Sequence, residues 1–218
     1  MTAMAERVAT ADALTARAAE LCDVALRDMY VDPFWEARFG ERGRRFARED
    51  AHFHVVYLAE AVRAGSAASF VMYVRWLQNV LTTRGMCTLH LRDMLEAIGH
   101  AIRATGMDDV ETALAYLGTG VGALRHDGDA ARVGQLVPRD EGDRLAEHLV
   151  SYLGDAVALS LPRVFVDHVE WLRANGRRVG ASSVRVEQAL TDVLAALAAV
   201  EPSVPSAAAV VAALAEGA

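Results

Sequence analysis

The densest group of chemically capable side chains lies between residues 42 and 54: Arg42, Arg44, Arg45, Arg48, Glu49, Asp50, His52 and His54. Guanidinium groups in such a run suit an anionic ligand, and a carboxylate among them suits a ligand N–H that carries positive charge. Glu49 and His52 form a Glu-x-x-His pair on one helical face, but a di-iron site needs that motif twice and further carboxylates, and no second copy exists. His90 and His100 are too far apart to chelate along one helix. The glycines of Gly118-Thr119-Gly120-Val121-Gly122 follow no strand, so close helix packing explains them better than a phosphate loop. No nucleophile, base and orienting acid can be assembled from the spacing, so nothing points to an enzyme. The charged run also has a plain reading as a solvated helix face.

The elements that must hold these residues read as helices throughout. Leu14, Ala18, Leu21, Ala25 and Met29 recur at helical spacing and predict a helix over about 10–30, stopped by Val31-Asp32-Pro33. A loop over 34–43 is expected to lead into a long helix over 44–64, ended by Gly65. Helices over 67–84 and 88–105 follow, then one over about 110–124 capped by Asp108 or Asp109. A polar loop is expected over 126–142, and helices over 143–159, 162–176 and 183–200 and after Pro205 complete a set of about nine. The aromatic set Tyr57, Phe70, Tyr73 and Trp76 sits at helical spacing and is expected in the core.

Sliding the chain on itself by 95 positions pairs Tyr57 with Tyr152, Phe70 with Phe165, Val74 with Val169, Trp76 with Trp171 and Gly85 with Gly180, with Glu60 facing Asp155. This predicts an internal tandem duplication, with modules over 1–106 and 107–218. The acidic position is not shared in the charged run, since Leu145 falls where Asp50 stands, so any ligand chemistry there is expected in the first module alone.

Alanine, leucine and valine dominate the 218 residues and Pro is scarce, which is the composition of an all-α protein. A formal charge of −7 argues against a nucleic-acid partner. Two cysteines, Cys22 and Cys87, are too few for a disulfide framework, and no apolar run is long enough to span a membrane. A cytoplasmic location is the resulting expectation.

Residues 10 to 105 resemble the phycobiliproteins and the bacterial photoglobins or bilin biosynthesis-associated globins, non-haem globins of linear tetrapyrroles. The likeness lies in an alanine-rich helix ending near a Pro, a long helix with an Arg/Asp-bearing start, and the turn Ala61-Val62-Arg63-Ala64-Gly65-Ser66. The family's Cys-x-Arg-Asp segment falls on Ala47-Arg48-Glu49-Asp50. The resemblance implies a globin-like fold whose first module binds a bilin as a sensor or carrier. Asp50 would accept the pyrrole N–H groups, and Arg44, Arg45 and Arg48 would meet the propionates. His54, Tyr57, Tyr73 and Trp76 would wall the pocket. With Ala47 in place of the linking cysteine the binding would be non-covalent, unless Cys87 reached the pigment. Two alternatives stand beside it: a ligand-free interaction or scaffold protein, binding a protein partner or itself, and a helical sensor resembling the cap over cobalamin.

Overall fold

The computed structural model describes residues 3–140 and 142–216; Met1, Thr2, Glu141, Gly217 and Ala218 lie outside the described residues. Among the described residues it is all-helical, with eleven α-helices and no strand: α1 (Ala3–Ala16), α2 (Ala18–Met29), α3 (Pro33–Ala64), α4 (Ala67–Thr82), α5 (Thr88–Ala104), α6 (Glu111–Ala123), α7 (Gly128–Leu136), α8 (Arg144–Ala158), α9 (Pro162–Asn175), α10 (Ser183–Val200) and α11 (Pro205–Glu216). None is long and apolar enough to cross a membrane.

Four expectations about the elements are corrected. The single helix over 10–30 is two, because the chain turns at Arg17 (φ −103°, ψ 8°), whose side chain reaches the carbonyl of Thr105 at 2.9 Å. The loop over 34–43 is helical: Asp32 accepts a hydrogen bond from Phe34 N at 2.8 Å, Pro33 opens the first turn, and Phe34 and Trp35 are buried. The kink falls instead at Gly40, whose φ of 56° and ψ of −158° no side-chain-bearing residue adopts readily. The polar stretch after His126 hides α7, because Ala130, Val133 and Gly134 bury one face among Gly and Asp residues that mask the pattern. Val110, not Asp108 or Asp109, occupies the cap position of α6.

The chain folds as two compact units, and neither is a contiguous half. Unit 1 holds the chain up to Leu77 together with Leu91–Leu124; unit 2 holds Gln78–His90 and the chain from Arg125 onward. The sequence reading placed one boundary at 106/107. In unit 1, Leu14, Leu21, Leu58, Phe70, Leu95 and Ile98 are fully buried. Gly120 on α6 packs against Phe70 and Val74 so closely that an added Cβ would lie 2.7 Å from the Phe70 ring, while Gly118 and Gly122 face open space. In unit 2, Leu149, Leu153, Phe165, Val193 and Leu197 form the core with Cys87 and Leu89 of the corner between α4 and α5.

Positions 95 apart carry matching local geometry in the two units. Helices α3 and α8 end with the same pair of bonds, Ser66 N to Ala61 O at 3.0 Å and Leu161 N to Ala156 O at 2.9 Å, with Gly65 and Ser160 both left-handed. The corner after α4 has Met86 N on Leu81 O, and that after α9 has Ala181 N on Gly176 O, with Gly85 and Gly180 at φ 81° and 76°. Helices α5 and α10 begin at Thr88 and Ser183.

Candidate functional site

On the second segment of α3 the expected site residues diverge. Residues at 100° intervals put Asp50, His54 and Tyr57 on one face and turn Arg48 to the opposite side. There Arg48 pairs with Asp23 at 2.6 Å, and Arg44 pairs with Glu36 at 2.9 Å while its guanidinium lies 3.9 Å from the centre of the Tyr30 ring. Arg45 lies over the Phe46 ring. Arg44, Arg45 and Arg48 line an open groove of about 500 Å³ between α2 and α3, shared with Asp23 and Tyr30. Asp50 does not line it. Asp50 and the three arginines therefore do not line one groove.

Four of the other five residues meet. His54 is buried and its Nδ1 lies 2.7 Å from the Tyr73 hydroxyl; Tyr57 stacks on Tyr73 with ring centres 3.9 Å apart and planes 10° from parallel; Trp76 follows at 6.2 Å. Burial pushes the His54 imidazole down to about 3, so the ring is neutral. Burial pushes the Tyr73 phenol up, and the Asp50 carboxylate adds to the rise, which puts Asp50 in electrostatic reach of the aromatic group. The expectation that all four aromatics are core is corrected: Phe70 and Tyr73 are buried, whereas Tyr57 and Trp76 are exposed, with Phe53 and Met72 exposed beside them on the same helices. They form an aromatic ledge open to solvent. Helical period alone cannot separate a core stripe from an uncovered one.

Unit 2 repeats the ledge with its face covered. Tyr152 stacks on His168 at 3.8 Å and 15°, and Trp171 follows at 6.3 Å. Tyr152 and His168 are fully buried, and Trp171 packs against the core. The corner Gln78–His90 is seated on α8 by polar contacts that the sequence reading missed. The Asp155 carboxylate, itself buried, accepts from Thr88 N at 2.7 Å and Thr88 Oγ1 at 2.6 Å and lies 2.8 Å from His126 Nε2. Ser151 Oγ accepts from Leu89 N at 2.9 Å, and the Tyr152 hydroxyl donates to Gly85 O at 2.9 Å. Asp155 and Ser151 thus act as a cap borrowed from another helix for the start of α5. The one signal for it was the Glu60/Asp155 pairing in the repeat alignment.

Both cysteines are free and buried, and burial pushes the Cys22 thiol up to about 11 and the Cys87 thiol higher still. Cys87 sits in the unit 2 core, closed to a pigment. Among the described residues no group of His, Cys, Asp or Glu is arranged to hold a metal ion, and Glu49–His52 has no completing partners. Neither a protein-family model, nor a curated protein, nor a solved structure matches this chain.

Proposed function

We propose that the chain is a non-catalytic interaction protein, made of two helical modules related by duplication, whose first module docks a protein on its aromatic ledge. The observation that carries this reading is the unequal burial of one geometry: Tyr152 is fully buried and Trp171 half-buried in unit 2, whereas their counterparts Tyr57 and Trp76 are exposed in unit 1. Contiguous exposed aromatics mark interaction surfaces, because leaving them in water gives the monomer nothing. The matching turn bonds at Gly65 and Ser160, and at Gly85 and Gly180, support the duplication. A Phe53→Ser, Trp76→Ser double variant tests the ledge. It should keep its helix content and melt within a few degrees of the wild type, since surface changes fall within about 0.5 kcal/mol each. A collapse of the fold would show the ledge to be part of the core and refute the reading.

A second reading keeps a linear tetrapyrrole but drops the arginines: a planar pigment lying on Tyr57 and Trp76 with Asp50 as its counter-charge. The reach of the Asp50 charge to Tyr73 favours it. Titration with biliverdin separates the two readings. A stoichiometric long-wavelength band lost in Asp50→Asn supports the pigment, and an unchanged pigment spectrum supports the protein.

A further inference from the structure

We propose that the open face of unit 1 binds the α9–α10 corner of a second copy of this chain, repeating between molecules the contact that the α4–α5 corner makes inside unit 2. The inference rests on the duplication reading above and names the docking partner that reading leaves open.

Inside unit 2 the corner is held by the Ser151 bond to Leu89 N and by four further contacts. Gly85 O accepts from the Tyr152 hydroxyl, Asp155 accepts from Thr88, Leu89 is buried, and the His90 ring lies 5.3 Å from that of His148 and 5.7 Å from that of Tyr152. Moving each position by 95 residues gives a corner of Gly180, Ser183, Val184 and Arg185 and a face of Phe53, Tyr57 and Glu60. Most of the chemistry survives the move, although Val56 stands where Ser151 accepts from Leu89 N, so that one bond has no counterpart. A glycine carbonyl meets a tyrosine hydroxyl, a helix-opening hydroxyl and its backbone N–H meet a carboxylate, an apolar side chain enters the face, and a guanidinium replaces an imidazole over two aromatic rings.

Burial is what differs. Leu89 is 3% exposed and Val184 is 81%; Tyr152 is 0% and Tyr57 is 48%; His148 is 3% and Phe53 is 56%. Val31 stands 95 positions before His126, the partner of Asp155, and is also 81% exposed. Val31 and Val184 are the two most exposed large apolar residues described, and one falls on each half of the proposed contact. Glu60 now pairs with Arg63 at the surface, and such a pair exchanges partners at little cost, while Arg185 would leave the half-buried Asp143 that caps α8. A corner and a face are different surfaces, so the contact is heterologous, and every molecule offers one of each.

The test is sedimentation velocity of the full chain between about 1 and about 500 µM, with two variants. Val184→Asp blocks the corner, at the start of α10 where an acid suits the helix N-terminus. Phe53→Asp blocks the face at an exposed position; Val31→Asp is a second face variant should Phe53→Asp lose helix content. The wild type should associate with rising concentration, and each variant alone should associate about tenfold more weakly or not at all, because a charge is forced into the contact. An equimolar mixture of the two should form a one-to-one dimer, since one retains the face and the other the corner. A wild type that stays monomeric, variants that associate like the wild type, or a mixture no better than its components would overturn the proposal. The melting of the ledge variant and the biliverdin titration do not depend on self-association, so a failure here is distinguishable from a failure of the docking-surface reading.

Discussion

Replacing Asp155 with alanine removes one acceptor from three donors in a place water does not reach. The carboxylate is 1% exposed and takes the Thr88 amide at 2.7 Å and the Thr88 hydroxyl at 2.6 Å, with His126 Nε2 at 2.8 Å. Losing a helix cap costs about 1 kcal/mol, and a hydrogen bond to a charged acceptor about 1.5–3 kcal/mol. These terms share one group and do not add fully, so about 4 kcal/mol is expected from the set. At a urea slope of about 2 kcal/mol per molar, that is a fall in midpoint of about 2 M for unit 2. Asp155→Asn keeps an acceptor for Thr88 N and should lose about half as much. Far-UV circular dichroism in urea measures the shift, and hydrogen exchange at the Thr88 and Leu89 amides localises it to the corner. Asp167→Ala is the control: its pair with Arg163 is exposed, and the midpoint should stay within about 0.3 M. A fall of less than about 0.5 M for Asp155→Ala would refute the claim that this carboxylate seats the corner.

Two further outcomes follow from unit 1. The folded protein keeps His54 neutral down to about 3, whereas the unfolded chain takes up the proton near 6.5, so the unfolded state binds more protons throughout that window. Stability should fall as pH drops from about 6.5 towards 3, by up to about 1.4 kcal/mol per pH unit from this residue; His54→Gln should flatten that part of the profile, and an unaltered slope would show the ring to be accessible. Gly120→Ala should destabilise by about 1–3 kcal/mol through the Phe70 ring, while Gly118→Ala and Gly122→Ala, which meet nothing, should stabilise α6 by up to about 1 kcal/mol each. Thermal melts of the three variants check the order.

The helices were legible where apolar spacing and punctuation agreed. The ends at Gly65 and Thr82–Gly85, the starts at Thr88, Pro162 and Ser183, and the last helix after Pro205 all follow from caps and turn residues. The kink at Gly40 and helix α7 were not legible, because charged or small residues dilute the period there and long-range burial decides. Of the candidate site, the grouping of its aromatic residues was legible. Tyr57, Tyr73 and His54 were expected together and are together. The arginines were grouped with Asp50 by closeness in sequence, which a helix disperses around its circumference. The seat of the corner joins residues 67 positions apart, and no local pattern announces it.

Because Gln78–His90 belongs to the same unit as everything after Arg125, the order of synthesis matters. Unit 1 is complete in sequence once Leu124 has been made, and its segments can close on each other at once. The corner cannot. Leu81, Cys87 and Leu89 must wait for α8, and 67 residues separate Thr88 from Asp155, which at about 5–20 residues per second is a delay of roughly 3 to 13 seconds. For that interval a nascent chain carries a seated module with an unseated apolar elbow. On a crowded polysome the elbow of one chain lies open to the α8 of a neighbour, so exchange of this segment between molecules is the characteristic error to which this chain order exposes the protein.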